Sequence, residues 1–194
     1  MGREPLYSVP MTVLLLDPRW PTMLPMEVYG KLRGPAVFTD EVPVKVRWNF
    51  DELLCGDDPL GQGVLVSTNA SDPKVRALLD ASHDLILAPS LEDPLWQARE
   101  VMSRARTIGE WEREQTHDSL LPYLAEESAE FAQAVEQRAP DAELMKELGD
   151  VFLQVLFHAE IAARRGAFTL DDVAASFVTK MRSRAPYLLS LIHI

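Results

Sequence analysis

The sequence predicts a mixed fold: a small α/β unit followed by an all-α module of four main helices. Two observations carry this. Short apolar runs bounded by Pro, Asp and Gly are confined to the first ninety or so residues. After the break "APSLEDP" the chain changes to long amphipathic stretches with few breakers, the pattern of packed helices.

The opening "MGREPLYSVP" (1–10) has two prolines and no periodicity, and is read as a frayed tail or as the product of a start codon upstream of Met11. "TVLLLD" (12–17) is short, apolar and stopped by "DPRWP", so a buried strand is predicted. "PVKVRW" (43–48) alternates and predicts a second strand, and "GVLVST" (63–68) a third. "DPKVRALLDAS" (72–82) starts a helix at Asp72, with Pro73 at the first helical position. "DLILAP" (84–89) is the fourth strand, and its strand–helix–strand setting predicts an α/β domain over 11–90.

The all-α part is placed at 91–188. Its first helix is "PLWQAREVMSRARTI" (94–108). The second is "THDSLLPYLAEESAEFAQAVEQR" (116–138), with Thr116 or Ser119 as N-cap; Pro122 fits near the start if Ser119 is the cap. The third is "DAELMKELGDVFLQVLFHAEIAARR" (141–165), stopped by Gly166. The fourth, "TLDDVAASFVTKMRSRAP" (169–186), is capped by Thr169. Short connections make these an antiparallel bundle. The ending "LSLIHI" (189–194) is apolar to the last position. The string CTGTCTCTTATACACATC, a transposon-end adapter used in sequencing libraries, translates to these six residues, so the segment is expected to be an artefact.

Composition narrows the function. A formal charge of −11 argues against a nucleic-acid polymer or an anionic membrane as partner, while leaving room for a nucleotide that arrives with cations. Cys55 is the only cysteine, which excludes an intrachain disulfide and a Cys-rich zinc site. No apolar run approaches the ~20 residues that span a bilayer. "TVLLL" is too short for a signal-peptide core, so a cytoplasmic location is expected.

The chemistry concentrates in "YLAEESAEF" and "KELGDVFLQVLFH". Residues three or four apart share a helix face, which groups Glu126 and Glu127 with Glu130, and Glu147 with Asp150. Two antiparallel helices can bring these carboxylates to one small volume, where they raise each other's pKa unless a cation compensates them. All-oxygen ligation suits Mg²⁺, or Mn²⁺. Apolar Leu124, Phe131, Leu148 and Val151 set the patch beside a core. Two other readings stay open. Glu-rich helices are often plain solvated faces. A carboxylate di-iron bundle also uses such helices, but normally with Glu-x-x-His, where this chain has Glu-x-x-Asp.

Other candidates are less specific. His158 shares a stripe with Asp150 and Gln154 and reads as a core or supporting histidine; His117 reads as structural. Lys180 and Arg184, four apart with Arg182 nearby, can hold phosphate oxygens or form a charged solvent face. Trp111 can stack on a base or simply pack at a helix junction. Asp17, Arg19 and Trp20 follow a strand end, but no glycine-rich loop accompanies them and no site is assigned there.

"EREQTHDSLLPYLAEESAEFAQAV", "KELGDVFLQVLFHAEIA", "GAFTLDDVA" and "KMRSRAP" together resemble the MazG family of nucleoside triphosphate pyrophosphohydrolases. The likeness covers about half of the chain, and its core is Glu-Glu-x-x-Glu, a spacer of sixteen residues, then Glu-x-x-Asp. The layout resembles the actinobacterial form, with an α/β piece that looks like a shrunken half of a tetrapyrrole methylase domain. The resemblance implies hydrolysis of an NTP or dNTP to the monophosphate and pyrophosphate, in nucleotide-pool house-cleaning, by a homodimeric enzyme. It implies Mg²⁺ on Glu127, Glu130, Glu147 and Asp150, with Glu126 orienting water. It also implies phosphate contacts from Lys180 and Arg184, and a nucleotide pocket lined from Tyr123 to Glu127.

Three departures stand out. The usual Cys-Pro-Trp reads Gly109-Glu110-Trp111, the usual Thr-Tyr reads Ser128-Ala129, and the family continues past this sequence with a closing Trp-bearing helix that the natural protein is expected to carry. The alternative from another class is a non-catalytic nucleotide-binding or dimerisation scaffold.

Overall fold

A computed structural model describes residues 10–54 and 63–189. The expectations for residues 1–9, for Cys55 and for 190–194 fall outside the described residues. The chain divides into two compact units, one running to Gln97 and one starting at Ala98.

The first unit is built on a four-stranded parallel sheet of β1 (Met11–Leu15), β2 (Ala36–Phe38), β3 (Gly63–Ser67) and β4 (Asp84–Leu87), in the order β2-β3-β1-β4. The central strand β1 aligns Thr12 with Val64 on one side and with Asp84 on the other. Side chains alternate across a strand, so β1 and β3 feed two cores. Leu14, Leu16, Val64 and Val66 pack with Val28, Leu32, Val46 and Phe50 in one cluster. Val13 and Leu65 pack with Val75 and Leu78 in the other. The latter two come from α2 (Pro73–Asp80), which starts as its sequence predicts: the Asp72 carboxylate accepts from the Lys74 amide at 2.7 Å.

The predicted second strand is wrong. "VKVRWN" is a helix, α1 (Val44–Asn49), and the strand of this region is the three-residue "AVF" upstream. The alternation of Val44, Val46 and Trp48 misled because only Val46 faces the core; Trp48 is 82% exposed. The face that counts is Val46 with Phe50, four apart, which is a helical spacing. Arg47 fastens this helix to the preceding turn by donating to the carbonyls of Val42, Thr39 and Asp40.

The C-terminal end of the sheet is filled by its own side chains. Asp17 is buried and pairs with Arg19 at 2.6 Å. The Arg19 guanidinium lies 4.4 Å from the Trp20 ring centre and 4.0 Å from that of Trp96. Burial pushes the Asp17 carboxyl up, but hydrogen bonds from Arg19 hold it below its ordinary pKa.

The second unit is helical. Helix α3 (Pro94–Ile108) leads into it, followed by α4 (His117–Glu136), α5 (Asp141–Arg164) and α6 (Leu170–Arg184). Of the two candidate caps of α4 the structure uses Thr116, and Ser119 is the third helical residue. Thr116 is the N-cap and accepts from the Ser119 amide, while the Ser119 hydroxyl accepts from the Thr116 amide. Pro122 therefore sits inside the helix rather than in its first turn, and leaves one backbone acceptor without its usual donor. Arg138 ends α4 in a left-handed conformation (φ 52°), with the Ala139 amide donating to the Ala134 carbonyl at 2.9 Å. The chain then returns at Pro140, so α5 runs back along α4. Met102, Leu120, Leu156, Phe157 and Ile161 form the core of this unit.

Candidate metal centre

The α4–α5 hairpin sets the site. One oxygen from each of Glu127, Glu147 and Asp150 lies within 4.8 Å of the others. Glu127 comes from the middle of α4, and Glu147 and Asp150 share a face of α5 one turn apart. Glu147 is only 8% exposed. Its Oε1 accepts from Lys146 Nζ at 2.8 Å, and the same ammonium reaches Asp150 Oδ2 at 3.3 Å. Its Oε2 is buried with no hydrogen-bond partner among the described residues.

The electrostatics follow from this crowding. Burial, then the charges of Asp150, Glu130, Glu126 and Glu147, push the Glu127 carboxyl above its ordinary pKa. The hydrogen bonds from Lys146 to Glu147 and Asp150 hold the ammonium above its own. A buried carboxylate with one oxygen lacking a donor, grouped with two further carboxylates, is a poor arrangement for a folded protein and a good one for a hard divalent cation. The residues present fit such an ion.

Glu130 is not in the close set. It lies one turn further along α4 and, with Glu147, lines an adjoining cavity of about 390 Å³ shared with Gln133, Gln137, Glu143 and Lys146. Glu126 is exposed beside Glu127. Leu148, expected beside a core, is 50% exposed, whereas Leu124, Phe131 and Val151 are partly buried. Tyr123 stands one turn before Glu127. The Trp111 ring packs edge-on against Tyr123 at 5.6 Å and against Phe157 at 5.9 Å. Trp111 thus buttresses the start of α4 and remains half-exposed. Lys180, Arg182 and Arg184 are exposed on α6, and among the described residues no hydrogen bond or ion pair joins them to the acidic set.

Two features were missed. Lys146 reads in sequence as surface charge, though its position four before Asp150 is an ion-pair spacing. His117 and His158 read as separate structural residues, yet their Nδ1 atoms lie 2.7 Å apart, with ring centres 5.0 Å apart and planes 4° from parallel.

The sequence matches the MazG N-terminal domain over residues 11–86 and the MazG nucleotide pyrophosphohydrolase domain over residues 115–189. It is 43% identical over 184 residues to the nucleoside triphosphate pyrophosphohydrolase of Mycobacterium tuberculosis, covering 93% of this chain and 56% of that protein. The protein of the same name from Mycolicibacterium smegmatis is 44% identical over the same shares. The nucleoside triphosphate pyrophosphohydrolase/pyrophosphatase MazG of Thermotoga maritima is 49% identical over 79 residues, 41% of this chain and 31% of that protein. The chain thus spans about half the length of the mycobacterial relatives it matches.

Proposed function

Because the chain belongs to the MazG family, we propose that it hydrolyses nucleoside triphosphates, ribo- or deoxyribo-, to the monophosphate and pyrophosphate, with Mg²⁺ or Mn²⁺ held by its acidic hairpin. The observation that carries this reading is the convergence of Glu127, Glu147 and Asp150, with one oxygen of the buried Glu147 lacking a hydrogen-bond partner among the described residues. Glu130, at the rim of the adjoining cavity, completes the proposed ligand set.

A divalent ion bound there supplies electrophilic activation of the phosphoanhydride and acidifies water. The chain's own residues do the rest. Glu126, exposed beside Glu127, orients the attacking water and accepts its proton. Lys180 and Arg184 bring positive charge to the phosphates. Tyr123, held edge-on by Trp111, offers an aromatic surface one turn from the ligands, where a base can rest. We read the working form as a cytoplasmic homodimer that clears the nucleotide pool. Exposed Leu121, Val135, Leu148 and Leu153 along α4 and α5 support pairing with a second copy.

The test is product analysis by ion exchange after incubation with mixed NTPs and dNTPs, with and without Mg²⁺. Monophosphate and pyrophosphate, formed only with Mg²⁺, are expected. Release of orthophosphate, or turnover that ignores the metal, overturns the reading, as do near-wild-type rates in Glu127→Ala or Asp150→Ala.

A further inference from the structure

We propose that Lys146 is a resident counter-cation of the acidic hairpin, which trades places with the divalent ion when the ion binds. This rests on the metal reading above and adds a residue to it.

The argument is geometric. Lys146 Nζ sits 2.8 Å from Glu147 Oε1 and 3.3 Å from Asp150 Oδ2, two of the three carboxylates that converge. It therefore pairs with two of the three carboxylates that a divalent ion needs. Among the described residues it is the cation that forms ion pairs with this set. An ammonium within hydrogen-bond distance of two of these carboxylates already neutralises part of their charge, so it competes with a divalent ion even where the two cations use different oxygens.

The side chain is also built to leave. Its side chain is 67% exposed, against 10% for Glu147. A flexible four-carbon stem on the outer surface of α5 reorients without disturbing the core. The monovalent ammonium satisfies one Glu147 oxygen and leaves Oε2 buried without a donor, so the metal-free site is held together but not completed. The adjoining cavity receives the displaced ammonium: Lys146 already lines it, beside Glu130, Gln133, Gln137 and Glu143. There the positive charge stays next to a cluster that remains net negative once a divalent ion is bound, which lowers the repulsion that an incoming phosphate meets.

Two consequences separate this role from that of a decorative surface lysine. Without metal, Lys146 should stabilise the hairpin by screening Glu147 and Asp150. With metal, it should cost affinity, because its own contacts must first break.

The experiment is titration with MnCl₂ alone, followed by calorimetry and by the paramagnetic signal of free Mn²⁺, on the wild-type chain, Lys146→Met and Lys146→Arg. Lys146→Met keeps the apolar stem and removes the charge. Expected is Mn²⁺ binding about two- to fivefold tighter in Lys146→Met at low salt, the size of exposed ion pairs released. The gap should close as KCl screens the ammonium, and Lys146→Arg should return the affinity to wild type. In parallel, the metal-free melting temperature should fall in Lys146→Met while the rise on adding Mn²⁺ grows. Equal affinity in the wild type and Lys146→Met overturns the exchange and leaves the metal site standing. Weaker binding in Lys146→Met also overturns it, since the lysine would then be arranging the ligands. Absence of Mn²⁺ binding in the wild type overturns the exchange and the metal reading together.

Discussion

His117 Nδ1 lies 2.7 Å from His158 Nδ1, with the two imidazole rings meeting edge to edge, their centres 5.0 Å apart and their planes 4° from parallel. Only one proton fits between these nitrogens. Arg165 Nη2 donates to His117 Nε2 at 3.0 Å, so that nitrogen carries a lone pair and the His117 proton belongs on Nδ1. His117 therefore donates to His158 Nδ1, and His158 carries its proton on Nε2, which is buried without a partner among the described residues. The chain of donors runs inward from Arg165 and ends at His158.

This arrangement predicts acid sensitivity. Burial, then the neighbouring His117, push the His158 pKa below its ordinary value. The unfolded chain takes up a proton near the ordinary histidine pKa of about 6.5 that the folded chain refuses until lower pH. The His158 contribution is thus fully present above that value and is lost as pH falls toward its depressed folded pKa. Melting temperature measured from pH 7.5 to 5 should drop in the wild type, and the drop should be smaller in His158→Gln, whose side-chain oxygen can still accept from His117 and which cannot titrate. Parallel curves for the two chains would remove the histidine pair as the cause.

Glu127 should show opposite effects on stability and on activity. Its carboxylate is pressed by Asp150, Glu130, Glu126 and Glu147, and the hydrogen bonds from Lys146 go to Glu147 and Asp150. Removing one like charge from such a set recovers a few tenths of a kcal/mol, up to about 1 kcal/mol. Glu127→Gln should accordingly melt higher than wild type without metal, gain less on adding Mn²⁺, and lose turnover by on the order of 100-fold. A variant that melts lower without metal would mean that Glu127 is held by contacts rather than strained by charge.

The start of α4 carries the site through its cap. Thr116→Ala removes the side chain that accepts from the Ser119 amide and should cost about 1 kcal/mol in denaturant unfolding. Leu120, fully buried one turn later in the core of the helical unit, should cost about 2–5 kcal/mol when truncated to Ala. If the two costs come out equal, the cap is doing more than closing a helix end.

Much of this was legible in the sequence because its signals were local. Asp72-Pro73 and Thr169 carry their own capping chemistry, and the four long helices keep a helical period over many turns. The acidic spacing was legible for the same reason, since residues three and four apart must share a helix face. Two kinds of feature were not. "AVF" is three residues long, too short to show a period, and its place in the sheet is set by its pairing with Val64–Val66 far along the chain. In "PVKVRW" a two-residue alternation competed with the helical pair Val46 and Phe50, and burial decided between them. The hydrogen bond between His117 and His158 joins residues forty-one apart on two helices, which no local pattern encodes. Glu130 shares the helix face but not the close set, because helical spacing fixes the side of a helix and not which oxygens finally meet.

Gly149 offers a test of where substrate passes. It lies inside α5 between Leu148 and Asp150, and a Cβ placed on it would meet no atom within 4 Å. A glycine in a helix interior costs about 0.5–1 kcal/mol relative to alanine, so Gly149→Ala should stabilise the metal-free chain by roughly that amount. The helix gives no reason for a glycine here, since nothing in the folded chain crowds the position. Two outcomes for turnover are then informative. If Gly149→Ala raises the melting temperature and leaves KM and kcat unchanged, the open space beside Asp150 is plain solvent. If it raises the melting temperature while KM for the triphosphate climbs and Mn²⁺ affinity stays constant, the ligand fills that space. The second outcome is expected, because the position flanks an acidic ligand on the exposed side of α5, where phosphates must approach any cation held by Glu147 and Asp150.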